Sequence, residues 1–382
     1  MTLPGMDKFL RIADPIFDAA TNGQRDVLSE EAFRRRIAIE RKRTERSREP
    51  FLLMLLESGA AQNGERPEKT LNGIVTAMQT STRETDVVGW YRERSTVGVI
   101  FTGLAVGDRN SVLSTILSRV SAALQEEVSL DRFNQISFSF HFFPDDWDNE
   151  GNGRPSDPVL YPDLMSATSE KSSLLRIKRV MDIAGSSLML ILCLPLFLII
   201  AAAVKATSKG PILFRQQRVG QYGRRFTFLK FRSMRVNNDE AVHRDYVKKL
   251  IAGVAERVPT SGNGEAVYKL AGDKRITPIG KILRKTSLDE LPQFINVLRG
   301  DMSLVGPRPP IPYELAAYQT WHRRRVLQVK PGITGLWQVT GRSRVRFDDM
   351  VRLDLRYAMS WSPWLDIKIL ARTPGAVIRG AY

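Results

Sequence analysis

The sequence predicts an α+β protein in which a small α/β domain, 1–150, precedes an apolar segment and a mainly helical domain, 210–382. Three observations predict this organisation. Strand-like and helix-like stretches alternate through the first 150 residues, which is typical of a small α/β or ferredoxin-like sheet. Residues 151–173 are polar and rich in Gly, Pro and Ser, as expected of a linker. An uncharged run then lies within 174–209 and separates the two domains.

The first domain is predicted to be soluble, with three strands and three helices. Short apolar or alternating runs predict the strands, at 51–57, 95–104 and 136–144. Amphipathic stretches with apolar residues at helical spacing predict the helices, at 33–47, 71–80 and 111–126.

The apolar segment contains the run IAGSSLMLILCLPLFLIIAAAV, residues 183–204, which carries no charge. A straight helix of that length would cross the roughly 30 Å apolar core of a bilayer, and a buried core helix is the weaker alternative. Basic residues flank the run on both sides, whereas a spanning helix concentrates them on one side. Pro195 lies near the middle, where it removes a backbone hydrogen bond and bends the helix. We therefore favour a re-entrant helix, broken at Pro195 and returning to the same membrane face, over a simple span.

Composition narrows the kinds of site that the chain can build. Cys193 is the only cysteine, so an intrachain disulfide and a cysteine metal site are both excluded. Residues 1–170 carry 20 Lys and Arg against 26 Asp and Glu, whereas 171–382 carry 37 against 15. The second half therefore favours anionic partners: nucleic acid, phosphorylated small molecules or acidic lipid headgroups. Charged residues interrupt the start of the chain, so we expect no signal peptide there.

The densest candidate site is TSLDELPQFINVLRGDMSLVGPRPP, residues 286–310. Asp289 and Glu290 are adjacent carboxylates, and basic residues stand on either side of them in the sequence. Guanidinium groups neutralise a pyrophosphate through paired N–H donors. A carboxylate can hold Mg²⁺ against phosphate oxygens, or attack phosphorus and form an acyl phosphate. The pattern is suited to phosphoryl chemistry.

A structural interpretation of the same residues stays open. Ser287 and Glu290 have the spacing of a capping box, in which Glu290 only stabilises a helix start. Pro292 disfavours that register, and a helix with Pro292 at its first position is equally compatible with the sequence. In either register Asp289 lies near a helix N-terminus, which favours its ionised form.

Several other basic elements also allow both a functional and a purely structural interpretation. The loop 306–310 is stiffened by prolines and presents Arg308, or it is simply a tight turn. The glycine-rich stretch 331–342 suits a close approach to phosphate, although a plain hairpin is the more probable structure. A predicted strand at 226–234 carries Lys230 and Arg232. The basic stretch 321–330 suits an anionic membrane surface or a solvated helix face.

Five pieces of the second half occur together in one order. They are the proline-broken apolar segment, LFRQQRVGQYGRRFTFLKFRSM, RITPIGKILRKTSLDELPQFINVLRGDMSLVGPRP, KPGITGLWQVTGR and WLDIKIL. In this order they resemble the bacterial sugar transferases, the monotopic polyprenyl-phosphate phosphoglycosyl transferases. The resemblance covers about 176–372, roughly half of the chain.

The resemblance implies a re-entrant membrane helix and a two-step reaction that depends on Mg²⁺. Asp289 would attack the β-phosphate of a UDP-sugar and release UMP, and the phospho-sugar would then pass to undecaprenyl phosphate. Glu290 would assist in proton transfer or positioning, and Mg²⁺ would bind beside the pair, at Asp289. By motif position the phosphate-binding residues would be Lys230, Arg284, Arg308 and Arg342. Asp366, in WLDIKIL, matches an important carboxylate of the family, with no role assigned.

The first domain resembles the GGDEF nucleotide-cyclase fold weakly. The basic helix IERKRTERS, the strand FLLMLLE and the hairpin TRETDVVGWYRERSTVGVIF carry that resemblance. The signature loop, residues 91–95, lacks the two glycines and the acidic pair, and only Glu57 stands in the region of the metal aspartate. We therefore expect no cyclic dinucleotide synthesis, and a regulatory, dimerising or partner-binding role instead. A generic α/β domain is an equal alternative.

The resulting prediction is an enzyme on the cytoplasmic face of the bacterial inner membrane, in the first membrane step of assembling a glycan such as an exopolysaccharide. Its partners would be a UDP-sugar, undecaprenyl phosphate and membrane lipid, with a homodimer or protein partner through the first domain. The alternative is a catalytically inactive membrane scaffold, which would not need the Asp289–Glu290 pair. Nucleic-acid binding is disfavoured because no recognition motif accompanies the basic charge. The sugar is not predicted.

Overall fold

A computed structural model describes residues 26–58, 67–104, 109–145, 156–163, 172–235, 241–258, 267–268, 275–341 and 344–380. The chain forms two compact units. The first lies within Met1–Phe33, Met54–Phe101 and Gly107–Ser139, and the second within Arg34–Leu53, Thr102–Val106 and Phe140–Tyr382. Helices and strands mix in the protein, so the predicted α+β class is confirmed.

The elements before residue 150 build a four-stranded sheet with the strand order β2-β3-β1-β4. In chain order these elements are α1 (Glu30–Ser47), β1 (Phe51–Ser58), α2 (Pro67–Ser81), β2 (Val87–Arg92), β3 (Thr96–Phe101), α3 (Arg109–Glu127), α4 (Leu130–Phe133) and β4 (Ile136–Phe143). The first six residues of β1 are all buried, as expected for a strand covered on both faces. The structure adds β2, which pairs antiparallel with β3.

The later elements are mainly helical, with two small sheets. In chain order they are α5 (Ser172–Leu192), α6 (Leu194–Thr207), β5 (Leu213–Val219), β6 (Arg225–Phe231), α7 (Ala241–Ile251), α8 (Pro278–Thr286), α9 (Gln293–Arg299), β7 (Ser303–Val305), α10 (Pro312–Ala316), α11 (Thr320–Gln328), β8 (Gly332–Thr334), α12 (Leu336–Thr340), α13 (Phe347–Ser360) and α14 (Pro363–Gly380). Strands β5 and β6 pair antiparallel, whereas β7 and β8 pair parallel. The stretch 331–342 is therefore not the predicted hairpin, because β8 pairs with β7 and then leads into α12.

The apolar segment forms two helices, α5 and α6, that meet at Cys193 with a bend of 62°. Pro195 stands in the first turn of α6, where its missing N–H costs no helical hydrogen bond. Among the described residues no single helix has the length and apolar character that crossing a membrane requires, although α5 and α6 together do. Re-entrant insertion stays a prediction.

Charged side chains attach α5 to the rest of the second unit. Arg179 donates to the carbonyls of Val297 and Leu298, at distances of 2.6 and 2.7 Å, at the C-terminal end of α9. The buried Asp182 accepts hydrogen bonds from the Ser303 hydroxyl at 2.8 Å and the Leu304 amide at 2.9 Å. Arg179 is one of the basic residues that flank the apolar run on its N-terminal side. Because it caps α9 in the structure, its charge gives less support to a re-entrant helix over a spanning one.

Candidate active site

A cleft of about 1730 Å³ runs along the second unit. Helix α6 contributes apolar side chains to its wall, and strands β5 and β6 contribute both apolar and basic ones. The turn after α8, the loop 306–310 and the elements α7, α10, β8 and α12 also contribute to the wall. The charged side chains that line the cleft are Arg215, Arg218, Lys230, Arg232, Arg235, Arg275, Lys281, Arg284, Lys285, Asp289, Glu290 and Arg308. Two carboxylates therefore stand among ten basic groups, which makes the cleft a site for anions.

The turn that carries the two carboxylates follows directly from the end of α8. Ser287 adopts left-handed backbone angles, φ 57° and ψ 18°, and ends that helix. A single 3-10 turn, Leu288–Glu290, then brings Asp289 and Glu290 to the cleft before α9 begins. Ser287 makes no side-chain capping hydrogen bond, and Pro292 precedes α9 instead of occupying its first position. Ser287 therefore stands at the N-cap of the 3-10 turn without forming the predicted capping box, and α9 begins one residue later than the alternative register predicts.

Asp289 is only 8% exposed. Burial raises the pKa of its carboxyl to about 6, and repulsion from Glu290 adds to the rise. Lys230 and Arg284 oppose that rise without cancelling it. A nearby helix N-terminus is expected to favour the ionised form of Asp289, but desolvation and the neighbouring carboxylate outweigh that effect, so the net shift of the pKa is upward. A carboxyl with this pKa is mostly ionised at neutral pH, and it forms no ion pair with the residues that the structure describes.

Lys230 comes from β6, opposite Phe214 of β5. Its ammonium lies 4.9 Å from the centre of the Phe214 ring, within cation–π range. Burial lowers the pKa of Lys230 to about 8, and Arg218 lowers it further, while Asp289 acts in the opposite direction. An additional anion bound in the cleft would therefore stabilise the protonated form of Lys230.

Two buried arginines hold the backbone of the loop 306–310 by hydrogen bonds to its carbonyl groups. Arg218 donates to the carbonyl of Pro309 at 2.8 Å, and Arg325 donates to the carbonyl of Arg308 at 3.1 Å. Arg325 also forms an ion pair of 2.7 Å with the buried Asp354. At Gly306 any side chain would collide with the backbone, since a Cβ would lie 2.2 Å from the Lys330 oxygen. The loop therefore holds its backbone rigidly while the Arg308 side chain stays exposed at the cleft.

The structure brings together five of the predicted site residues: Lys230, Arg284, Asp289, Glu290 and Arg308 all line the cleft. Arg284 is exposed in the last turn of α8. Arg342 lies outside the described residues. Within the described part of the chain no cluster of three or more His, Cys, Asp or Glu side chains is arranged to hold a metal.

Asp366 is buried away from these residues, at the start of α14, and does not line the cleft. Its carboxylate accepts hydrogen bonds from Lys178 at 2.6 Å, Tyr357 at 2.7 Å and Trp361 at 3.1 Å. We call these four residues the anchor cluster. Since Lys178 belongs to α5, the cluster ties that helix to α13 and α14. The geometry gives Asp366 a structural role.

Sequence reasoning missed Arg218 and Arg325, which position the loop. A signal for Arg218 existed, because it is a charged residue near the end of an otherwise half-apolar strand. Nothing local marks Arg325, since it is one of three consecutive arginines in α11. Only the fold distinguishes the one that is buried.

Comparisons with known proteins match the half of the chain that contains the cleft. The model of the family described as bacterial sugar transferase matches residues 173–380, more than half of the chain. The galactosyl transferase CpsE of Streptococcus agalactiae is 44% identical over 211 residues, which are 55% of this chain and 44% of CpsE. The undecaprenyl-phosphate galactose phosphotransferase of Salmonella typhimurium is 44% identical over 241 residues, 59% of this chain and 48% of that protein. The chain thus spans less than half the length of these two relatives.

A shorter relative is matched over most of its length. The exopolysaccharide production protein ExoY of Rhizobium meliloti is 39% identical over 209 residues, which are 54% of this chain and 88% of ExoY. Among solved structures, a DGC protein from Thermotoga maritima matches 32% of this chain and 85% of its own, with 18% identity and a TM-score of 0.27. A TM-score that low carries no argument about the first domain. The family model and ExoY place the second half without ambiguity: the chain belongs to the bacterial sugar transferase family.

Proposed function

We propose that this protein transfers a sugar-1-phosphate from a UDP-sugar to undecaprenyl phosphate and releases UMP. The observation that carries the proposal is the Asp289–Glu290 pair, held in a cleft that ten basic side chains line. Two relatives that match the same half of the chain are named as undecaprenyl-phosphate sugar transferases, for galactose and for glucose. The product would be undecaprenyl-diphospho-sugar, which suits the first membrane step of glycan assembly.

The first half-reaction forms a covalent bond to the enzyme. An oxygen of the ionised Asp289 carboxylate attacks the β-phosphorus of the donor. The bond between that phosphorus and the oxygen bridging to the α-phosphate breaks, and UMP leaves with the bridging oxygen and its electron pair. Lys230, Arg284 and Arg308 stabilise the charge that develops on the phosphoryl oxygens.

The second half-reaction restores the enzyme. A phosphate oxygen of undecaprenyl phosphate attacks the same phosphorus, and the bond to Asp289 breaks with its electrons returning to the carboxylate. Glu290 lies beside the reacting group, where it can accept a proton from the acceptor phosphate or hold the acceptor in place. The rigid loop 306–310 keeps Arg308 in one position through both steps.

The residues present are compatible with Mg²⁺. This ion is usually held by one or two carboxylates together with substrate phosphates, and not by an all-protein cage. Asp289 and Glu290 supply two adjacent carboxylates at the cleft, and the donor diphosphate would supply the other oxygens. When bound, Mg²⁺ would neutralise phosphate charge and help to orient the diphosphate.

We further propose that α5 and α6 insert into the cytoplasmic membrane as a re-entrant pair from the cytoplasmic face. Exposed apolar side chains support insertion, among them Ile191, Leu192, Leu194, Leu198 and Ile199, at 58–71% exposure. The bend at Cys193 supports a return to the same face.

The test is UMP release from a panel of UDP-sugars by the full chain in detergent, with undecaprenyl phosphate and Mg²⁺. We expect UMP from at least one donor, and a loss of at least about 10³-fold in Asp289→Asn. Asp349→Asn is the matched control, because Asp349 is an exposed carboxylate paired with Arg352 on α13. If folded protein releases no UMP from any donor while a positive-control enzyme does, the proposal is wrong and the scaffold alternative gains support.

A further inference from the structure

Arg232 is a buried guanidinium with no counter-charge. It is 3% exposed, follows β6 directly and lines the cleft. Within the described parts of the chain it forms no ion pair, and its Nε and Nη1 atoms have no hydrogen-bond partner. Burying a charge without a partner is unfavourable, so such a group needs an explanation.

Capping of α6 accounts for only one of the three guanidinium nitrogens. Nη2 of Arg232 donates to the carbonyl of Ser208 at 2.7 Å and to its hydroxyl at 2.9 Å, with a longer contact of 3.4 Å to the Val204 carbonyl. The negative end of the helix dipole offsets part of the buried charge. These bonds fix the guanidinium at the C-terminal end of α6, while Nε and Nη1 are buried without a hydrogen-bond partner among the described residues.

An apolar track leads along α6 to the same point. Leu194, Leu198 and Ala201 follow each other at spacings of four and three residues, so they share one face of the helix. All three line the cleft, and the two leucines are 58% and 66% exposed. At 1.5 Å per residue the distance along the helix from Leu194 to Val204 is about 15 Å. The cleft thus has an apolar wall that ends at a cation.

We propose that Arg232 binds the phosphate headgroup of the lipid acceptor, a phosphate monoester whose apolar chain lies along α6. The inference rests on the transfer reaction proposed above. A nucleotide sugar has no apolar chain to occupy the track, whereas a polyprenyl phosphate has both an apolar chain and a terminal phosphate.

The position of Arg232 also suits transfer between two phosphates. Its backbone N–H continues the β5–β6 pairing by donating to Ile212 at 2.9 Å. Lys230 stands two residues earlier, so the two side chains leave the same side of an extended segment. An acceptor phosphate at Arg232 would therefore neighbour a donor phosphate at Lys230, as attack on the β-phosphorus requires.

Measuring the two half-reactions separately distinguishes acceptor binding by Arg232 from a role in the attack on the donor. Arg232→Met is compared with the wild type for UMP release in a single turnover without acceptor, and for transfer of the phospho-sugar to undecaprenyl phosphate. We expect UMP release within about twofold of the wild type and transfer slowed at least about tenfold, with a raised KM for the acceptor. Lys205→Met is the control, because Lys205 is an exposed cation near the same helix end that does not line the cleft.

The outcomes are distinct. Equal losses in both half-reactions, or no loss in either, overturn the acceptor site. A wild type that releases no UMP contradicts the proposed function itself. If Arg232→Met does not fold, Arg232→Lys is measured, which keeps the charge with fewer donors; the site predicts a raised acceptor KM there with UMP release retained, and an unchanged acceptor KM overturns it.

A binding measurement tests the site without turnover. The Tm of the Asp289→Asn variant is measured in micelles that contain undecaprenyl phosphate, undecaprenol or inorganic phosphate. The double variant Asp289→Asn/Arg232→Met is measured under the same three conditions. We expect the lipid phosphate to raise Tm in the first protein only, and by more than either part alone. An equal rise with undecaprenol, or an equal rise in both proteins, overturns the proposal.

Discussion

The second unit contains two clusters of acidic and basic side chains that are built in opposite ways. In the anchor cluster the Asp366 carboxylate is shared among Lys178, Tyr357 and Trp361, all within 3.1 Å. In the cleft, Asp289 and Glu290 stand next to each other, and neither forms an ion pair with any described residue. The Asp366 carboxylate is therefore hydrogen-bonded and ion-paired within the protein, whereas Asp289 has basic groups nearby but no ion pair with a described residue.

This difference indicates that the anchor cluster contributes to stability and that the carboxylates of the cleft contribute to function. A buried ion pair with complete hydrogen bonding holds elements together, and its removal leaves an uncompensated charge. A carboxylate held near a like charge is unfavourable in the free protein and is retained where a ligand completes it. Burial is the main cause of the shifted pKa values of Asp289 and Lys230, and the like charges of Glu290 and Arg218 add to the respective shifts. If this distinction is correct, substitutions in the two clusters have opposite signatures.

The largest effect on stability is expected from Asp366→Asn. Removing one partner leaves the Lys178 ammonium buried without its carboxylate, which costs about 3–5 kcal/mol of unfolding free energy. The UMP-release rate per folded molecule should change by no more than about threefold, because Asp366 lies outside the cleft. Chemical denaturation and single-turnover kinetics on the same sample measure both quantities.

Lys178→Met in the Asp366→Asn background is the matched control. It removes the unpaired charge and should recover part of the lost stability. A variant Asp366→Asn that unfolds like the wild type but releases no UMP would give Asp366 a catalytic role and erase the contrast between the clusters.

The pH dependence of UMP release is the next largest effect. Asp289 must be ionised to attack, so the rate should rise with pH through about 6, the raised pKa of its carboxyl. Lys230 must be protonated to bind phosphate, so the rate should fall through about 8, its lowered pKa. Single-turnover rates between pH 5 and pH 9 should follow a bell-shaped curve, with about tenfold per unit on each limb. A flat profile between pH 5 and 7 contradicts the assignment of Asp289.

The smallest effect is a gain in stability from Asp289→Asn. Because the pKa of Asp289 is raised in the folded protein, its contribution to stability is present at low pH and is lost as pH rises through about 6. Asparagine resembles the protonated form, so the variant should be more stable than the wild type at pH 8 by on the order of 1–2 kcal/mol. The two should be equal at about pH 3, where the carboxyl is mostly protonated in both the folded and the unfolded protein. Thermal melts at both pH values test this, and a variant less stable at pH 8 would contradict the electrostatic account.

Much of the architecture was predictable from local patterns. The strand 51–57 and the helix 111–126 appear as β1 and α3 with bounds shifted by one or two residues. Both were predictable because their apolar periodicity lies within one contiguous stretch of sequence. The hairpin expected at 331–342 failed because its strand pairs with β7, twenty-nine residues earlier at Ser303↔Gly332, and such pairing leaves no local signal.

The sequence by itself determined the family, the α+β class and the residues that meet in the cleft, because motifs for phosphate chemistry are short and contiguous. It could not determine which charges are paired. Asp289 and Asp366 each follow a leucine in the sequence. Only the tertiary structure places Lys178 of α5 beside Asp366, whereas Asp289 forms no ion pair with a described residue. The electrostatic energy of a carboxylate depends on burial and on neighbours within a few ångströms. Those neighbours come from elements that lie far apart along the chain.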